Sequence, residues 1–193
     1  NYLLDRSIVI HQFKKGSNFD SLIGGYVKEP KIGLSKWVVS FDLNSLYPHL
    51  IMQYNISAET FVERLSEFPT VDTLLNVKDS EMTGSVYSYA ANGTVYSKRK
   101  QGFLPALMEK MYNDRVEYKN KMIDAKQKLE TMKTASAEEK RMVTNDIAKY
   151  HNLQLAKKIQ LNSAYGALAN PFFRWFNFDL AEAITMSGQL SIR

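Results

Sequence analysis

Two long helical segments joined by a short turn constrain the fold of this chain more than any other feature of its sequence. Residues 103–132 contain no glycine, and their only proline, Pro105, falls in the first helical turn, where proline is tolerated. A turn and a capping box follow, with Ser136 as N-cap and Glu139 at N3, and they predict a second helix over about 137–169. Each helix would be about 45 Å long. Because the loop between them is short, the helices should run antiparallel.

The positive charge of the chain is concentrated in this helical region. Residues 98–158 hold 15 Lys and Arg against 8 Asp and Glu, a net charge of +7, whereas the rest holds 10 against 12, a net charge of −2. A basic arm on a near-neutral base favours a polyanion as partner. A solvated helical face would give the same distribution, and charge alone does not decide between the two.

The remaining sequence predicts a small sheet beside the helices. The apolar, β-prone run from Trp37 to Phe41 predicts a buried strand, and residues 45–54 read as a helix. Residues 61–101 read as an insertion whose segments 85–89 and 94–97 flank a turn and predict a β-hairpin. We therefore expect an α+β fold in which an antiparallel two-helix hairpin projects from a small sheet.

Length and composition limit the classes of protein. With 193 residues and 45% apolar content, one domain with a packed core and a projecting subdomain is expected. No apolar run reaches about 18 residues, so no membrane span is expected. The chain contains no cysteine, which excludes a disulfide framework and a thiolate metal site. Because it starts at Asn1 and stops in a stretch that reads as helical, we expect both ends to be cuts in a longer protein.

The first candidate motif is Ser40-Phe41-Asp42-Leu43-Asn44-Ser45-Leu46-Tyr47-Pro48, which ends the apolar run on a carboxylate and a tight turn. The turn would present successive backbone N–H groups at the positive end of the following helix, where phosphate oxygens bind well. Asp42 would then hold a hard cation such as Mg²⁺, and Tyr47 would close the space near a sugar 2′ position. Taken alone, an Asp at a strand end is more often a cap or turn residue, and a tyrosine here is more often part of the core.

The second candidate motif places a cation, an amide and a phenol on one face of the second helix. Lys158, Asn162, Tyr165 and Gly166 are spaced i, i+4, i+7 and i+8. A lysine is a mobile point charge suited to a triphosphate. Asn and Tyr can pack against a base pair, and a glycine permits close approach.

Two further cations share one face of the first helix. Arg115 and Lys119 are spaced i, i+4, so a closed hairpin would bring them and Lys158 to one polyanion. Each cation alone is more often solvated surface, and it is their convergence that favours a binding site.

Together these segments resemble the first two polymerase motifs of family B DNA polymerases, most nearly those of T-even-like tailed bacteriophages. The resemblance runs from about Gly24 to the end of the chain and also includes the segments 26–30, 55–60, 86–88, 92–93 and 162–170. It implies part of a right-hand polymerase fold. Residues 1–101 would form an approach segment and the palm with an insertion, 102–164 the fingers hairpin, and 165–193 a return into the palm.

The resemblance also implies roles for individual residues. Asp42 is similar to the first catalytic carboxylate and, with the carbonyl of Leu43, would bind metal, while Lys158 would act in catalysis. Tyr47 would be the steric gate against ribonucleotides. The nucleotide would be bound by Ser45, Leu46, Tyr47, Arg115, Lys119, Lys158, Asn162, Tyr165 and Gly166, and template or primer DNA by Gly24, Gly25 and Tyr26.

The chain departs from the family at several points. The third family motif, an Asp-Thr-Asp on a hairpin, is missing from the sequence, and neither Glu59 nor Asp179 has surroundings that suggest a replacement. No pattern resembles the exonuclease carboxylate motifs. The hairpin is shorter than in T-even phages, and His49 replaces a small polar residue, for which we expect a surface or packing role rather than chemistry.

The implied activity is template-directed transfer of dNMP from a dNTP to a primer 3′-hydroxyl with two Mg²⁺ ions, the second carboxylate ligand coming from outside this chain. Alone the chain should be inactive. Its implied partners are primer–template DNA, dNTP, a C-terminal polymerase portion with the third motif and thumb, and a sliding clamp and other replisome proteins, in the cytoplasm of an infected bacterium.

Two other hypotheses remain open. A non-catalytic nucleic-acid-binding or assembly module derived from a polymerase would use the basic hairpin and would tolerate Asp42→Ala. A purely structural helical hairpin would leave the match over residues 40–48 unexplained.

Overall fold

A computed structural model of the chain describes Asp5, Ser7, Leu22 and residues 24–76 and 86–193. Within these residues the fold combines helices with one small antiparallel sheet, as the α+β prediction requires. In chain order the elements are α1 (Leu46–Tyr54), β1 (Phe61–Arg64), α2 (Val71–Leu74), β2 (Tyr87–Tyr89), β3 (Thr94–Ser97), α3 (Phe103–Thr131), α4 (Ala137–Leu168) and α5 (Phe178–Ile192).

The two longest helices, α3 and α4, form the predicted hairpin. The Ser136 hydroxyl accepts from the Glu139 N–H at 3.2 Å, and the Glu139 carboxylate accepts from the Ser136 N–H at 2.8 Å, so the capping box is complete. Asp114 meets Lys157, whereas the Lys121 ammonium lies 6.0 Å from the centre of the Tyr150 ring. Since later residues of α3 meet earlier residues of α4, the helices are antiparallel.

The sheet has the strand order β1-β3-β2, and both pairings are antiparallel. The predicted β-hairpin is formed by β2 and β3, although Ser85, included in its first strand, lies outside the described residues. Gly93 closes the turn with φ 81°, and a Cβ there would lie 2.8 Å from the Phe68 side chain. Both the left-handed backbone and the close contact require glycine.

The buried strand predicted for Trp37 to Phe41 is wrong. These residues form no strand, and Trp37 is 96% and Phe41 92% exposed. A strand needs a hydrogen-bonded neighbour, and the described sheet is built instead from the segment that follows α1. The apolar run therefore has the composition of a strand, but it has no neighbouring strand to pair with in the described part of the chain.

The hydrophobic core lies at the base of the hairpin, where α1, α3, α4, α5 and the sheet meet. Its members include Ile51, Ile56, Tyr96, Leu104, Met108, Leu161, Leu168, Leu180 and Ile184. The rest of the hairpin projects from this base, and few of its side chains are buried. In the described residues no helix is long and apolar enough to cross a membrane.

One amide side chain joins α1 to the start of α3. Asn55, 7% exposed, has left-handed backbone angles directly after α1. Its Nδ2 donates to the carbonyls of Ser97 and Lys100 at 2.7 and 2.9 Å, and its Oδ1 accepts from the Gly102 N–H at 2.9 Å. This side chain thereby connects the helix that carries the first motif to the base of the hairpin.

Candidate active site

The first motif forms an exposed turn that ends in the N-terminus of α1. Ser45 is the N-cap residue, with φ 57° and ψ 46°, and its side chain makes no capping hydrogen bond. The backbone N–H groups of Ser45, Leu46 and Tyr47 donate to no carbonyl of the described residues. Uncapped amides at the positive end of a helix form a site with affinity for phosphate oxygens.

His49 of α1 stabilises this turn through the Ser45 carbonyl. Its backbone N–H donates to the Ser45 carbonyl at 3.1 Å, and its Nδ1 lies 2.9 Å from the same oxygen. The imidazole also packs edge-on against the Tyr112 ring, with 4.7 Å between the ring centres. These contacts give His49 a packing role between α1 and α3.

Arg115 of α3 brings the hairpin into contact with the first motif. Its Nη1 donates to Asn44 Oδ1 and to Ser45 Oγ, both at 3.1 Å. Its Nε is buried and has no hydrogen-bond partner among the described residues. A buried donor without an acceptor is costly, so this guanidinium retains capacity for an anionic ligand.

A salt bridge links the two helices at the level of Arg115. Lys157 Nζ lies 2.8 Å from Asp114 Oδ2, and this bond, together with the weaker Lys110 contact at 3.4 Å, lowers the pKa of the Asp114 carboxyl. Because Lys158 follows Lys157 and Arg115 follows Asp114, the salt bridge brings two predicted phosphate ligands to the same level of the hairpin.

The remaining predicted cations face solvent. Lys119 and Lys158 are exposed, and neither makes a hydrogen bond or ion pair with the residues that the structure describes. The second-motif residues lie on α4 as predicted, with Asn162 and Gly166 exposed and Tyr165 half-buried.

Tyr165 meets the first motif through Tyr47. The centres of the two rings are 4.7 Å apart, with a tilt of 53° between the planes. Burial, with a smaller effect of Tyr47, raises the pKa of the Tyr165 phenol, which therefore stays neutral at physiological pH. The predicted gate and the predicted floor of the base pair are thus in direct contact.

The predicted DNA-contacting segment lies against α5. Gln189 Nε2 donates to the Gly24 carbonyl at 2.7 Å, and the Arg193 guanidinium lies 4.9 Å from the centre of the Tyr26 ring. Gly25 approaches Tyr47, as its Cβ would lie 3.1 Å from the phenol oxygen. This segment therefore adjoins the first motif.

Oxygen ligands for a metal are present but few. Asp42 is exposed and makes no hydrogen bond or ion pair with the described residues, and the Leu43 carbonyl follows it. Glu59 instead accepts from the Phe103 N–H, and Asp179 pairs with Arg64 at 2.6 Å. Among the described residues no group of three or more His, Asp or Glu could hold an ion.

The expected packing role of His49 is confirmed by its contact with Tyr112. Two other contributions were not evident from the sequence. Asn44 acts through a long-range contact with Arg115, and no local pattern indicates it. Gly188 of α5 lies against the Tyr47 ring. Its only sequence signal is a glycine inside a helical pattern, which indicates a packing or functional reason.

Comparison with known proteins gives a consistent match. The family model for DNA polymerase family B matches residues 2–193. The chain is 33% identical over 205 residues to the DNA-directed DNA polymerase of Escherichia phage RB69, covering 88% of this chain and 22% of that protein. It is 30% identical over 208 residues to the DNA-directed DNA polymerase of Enterobacteria phage T4, covering 90% of this chain and 23% of that protein. The DNA polymerase of Pyrococcus glycovorans is 32% identical over 171 residues, covering 88% of this chain and 18% of that protein. The chain spans about a fifth of the length of these curated relatives.

Proposed function

The chain belongs to DNA polymerase family B, and we propose that it forms the palm and fingers part of a DNA-directed DNA polymerase. In this role it binds a dNTP and primer–template DNA and positions the α-phosphate for attack by the primer 3′-hydroxyl. Residues 102–164 are the fingers, and the segments on either side belong to the palm. The remaining catalytic carboxylate and the thumb come from a C-terminal portion.

The contact between Arg115 of the hairpin and the first motif carries this proposal. Arg115 reaches across from α3 to Asn44 and Ser45, so a cation of the hairpin lies at the amides of the first motif. Phosphoryl transfer depends chiefly on positioning and on neutralising charge. A guanidinium beside free backbone amides is suited to both tasks.

The triphosphate is held from two sides. The N–H groups of Ser45, Leu46 and Tyr47 bind its oxygens on the palm side, at the positive end of α1. Arg115, with its unpartnered Nε, and Lys158 bind them from the fingers side, and Lys119 adds positive charge. The hairpin closes onto the nucleotide as it binds.

The sugar and base lie against aromatic side chains. Tyr47 blocks the space that a ribose 2′-hydroxyl would need, and its contact with Tyr165 fixes the ring. Tyr165, Asn162 and Gly166 form the floor beneath the new base pair. Residues 24–26, which adjoin Tyr47 and α5, touch the DNA.

The ligands in the first motif fit magnesium in chemical type. Carboxylate and carbonyl oxygens are what Mg²⁺ prefers, and Asp42 with the Leu43 carbonyl would supply one side of a two-ion centre. When bound, the ions neutralise phosphate charge and activate the primer hydroxyl. Because the Asp-Thr-Asp motif is not in this sequence, we expect negligible activity from the chain alone.

The test is primer extension with Mg²⁺ and dNTPs, using the chain, a separately produced C-terminal portion with the third motif and thumb, and their mixture. We expect extension only from the mixture, and loss of it with Asp42→Ala. Asp146→Ala is the matched control, since Asp146 is exposed on α4 and makes no hydrogen bond or ion pair with the described residues. It should leave extension unchanged.

Two outcomes would contradict the proposal. Extension by the chain alone would refute its inactivity. If the two portions associate but extend nothing, the chain is better explained as a non-catalytic nucleic-acid-binding module.

A further inference from the structure

The Tyr47 ring is in close contact with two glycines from distant parts of the chain. A Cβ on Gly188 would lie 3.0 Å from Tyr47 Cε1 and 3.7 Å from its Cδ1, and a Cβ on Gly25 would lie 3.1 Å from the phenol oxygen. By contrast, a Cβ on Gly24 or Gly166 would meet nothing within 4 Å. At Gly188 and Gly25, therefore, the missing side chain is what leaves room for the ring.

Gly188 has no local reason to be glycine. It lies inside α5, it is buried, and its φ is not positive. Alanine would favour the helix, since glycine in a helix interior is destabilising. The remaining neighbour within van der Waals range is Leu50, at 3.6 Å from the Cβ position, which is an ordinary contact. The tight contact is with Tyr47 alone.

A neighbour from a further element also touches the ring. Tyr165 of α4 packs against Tyr47 with 4.7 Å between the ring centres. The phenol therefore contacts both α5 and α4, and Gly25 lies close to its hydroxyl. A methyl group added to Gly188 or Gly25 would therefore displace the ring.

We propose that Gly188 is a positioning residue that sets the place of the Tyr47 ring and so the discrimination between deoxyribonucleotides and ribonucleotides. This inference rests on the proposed function, in which Tyr47 is the sugar gate. Gly188 touches the ring and not the nucleotide. An added methyl group would force the ring to shift by a few tenths of an ångström away from Gly188.

The measurement is kcat/KM for each dNTP and its matching ribonucleotide, with the chain joined to its C-terminal portion. Gly188→Ala should change the ratio of the dNTP value to the ribonucleotide value by about threefold or more, because the displaced ring alters the space at the 2′ position. A purely structural defect would lower kcat/KM for the dNTP and for the ribonucleotide by the same factor. Ser191→Ala, an exposed change on the same helix, should leave the ratio unchanged.

A double-mutant cycle assigns the effect to Tyr47. Tyr47→Ala alone should lower the ratio, and Gly188→Ala should add nothing on that background. Tyr47→Phe gives a further test, because it removes the oxygen near Gly25 but keeps the carbons near Gly188. It should therefore remove the effect that Gly25→Ala has through the phenol oxygen and leave that of Gly188→Ala, whose folding is checked by thermal unfolding before the kinetics.

The outcomes distinguish a failure of the proposed sugar gate at Tyr47 from a failure of the inference about Gly188. If Tyr47→Ala leaves the ratio unchanged, the gate itself is refuted. If Tyr47→Ala lowers the ratio but Gly188→Ala changes both values equally, or acts equally without the tyrosine ring, the inference about Gly188 is overturned. A change in the ratio of either sign that requires the ring supports it.

Discussion

Four cations of the hairpin differ in whether the described residues give them a hydrogen-bond or ion-pair partner. Lys157 is paired with Asp114, and Arg115 uses one terminal nitrogen on Asn44 and Ser45. Lys119 and Lys158 are exposed and have no partner among the described residues. A lysine free of partners can move onto a ligand without first breaking an ion pair, so both Lys119 and Lys158 are available for the phosphate contacts that we propose.

Lys158→Ala should raise the KM for dNTP by more than about tenfold, because a charge-assisted contact to the triphosphate is lost. The affinity for primer–template DNA should stay the same. Steady-state extension by the joined protein and fluorescence anisotropy with labelled duplex measure the two quantities. Arg141→Ala, an exposed change near the hairpin turn, is the control. Equal losses of nucleotide and duplex affinity would argue against the assigned role.

At the scale of secondary-structure elements, the arms of the hairpin beyond the core are joined by contacts that bury few side chains. The Asp114–Lys157 bond is one of them, and removing it with Lys157→Met should cost about 0.5–1 kcal/mol of unfolding free energy. Asp114→Asn should cost a similar amount, and the double variant should cost little more than either single one. Urea unfolding at neutral pH measures all three.

The same bond predicts a pH dependence. The pKa of Asp114 is lowered from its ordinary 3.8, mainly by the hydrogen bond from Lys157, so the folded chain holds this proton less tightly than the unfolded one. The stabilisation is therefore complete above 3.8 and is lost as the pH falls through the lower, folded value. The stability difference between the wild type and Lys157→Met should vanish there; a difference that persists would show that the ion pair is not its source.

Substitutions of Asn55, which joins α1 to the start of α3, should lower the free energy of unfolding more than those at the Asp114–Lys157 ion pair. Asn55→Ala removes the three hydrogen bonds of a buried side chain and places alanine, which adopts the left-handed conformation less readily than asparagine, in that region, and it should cost about 3 kcal/mol. Asn55→Gly keeps the backbone conformation but loses the same bonds, so it should recover about 1 kcal/mol of this loss. Thermal unfolding of both variants tests this. Equal stabilities would mean that the backbone conformation contributes nothing.

The sequence predicted those elements whose signals are local. The helix bounds of α3 and α4 and the Ser136–Glu139 box follow from periodicity and capping within a few residues. The strand at Trp37 to Phe41 failed because sheet formation depends on a neighbour, which composition cannot supply. The Arg115–Asn44 contact joins residues 71 positions apart, so only the fold reveals it.

At the scale of the whole molecule, the exposed run from Trp37 to Phe41 is the largest mismatch between composition and environment. Such apolar exposure indicates a surface that another segment covers. Binding of the C-terminal portion should shift the Trp37 fluorescence to shorter wavelength as the indole leaves water. Trp175, already packed against Phe103 and Phe173, serves as the internal reference. Trp37→Phe should abolish the shift and Trp175→Phe should not; an unshifted spectrum on binding would place the interface elsewhere.

In the closure that we propose, a hairpin anchored at the core by the Asn55–Gly102 hydrogen bond would tilt about this point. Arg115 lies about 20 Å along α3 from Gly102, whereas the far end of that helix lies about 44 Å away. A tilt of about 5° would therefore carry Arg115 by only about 1.7 Å while the far end travels about 3.8 Å. The cations that we propose to bind phosphate would therefore make the short movement and the distal turn the long one. A force applied at that turn would act at the level of Arg115 with about twice its size.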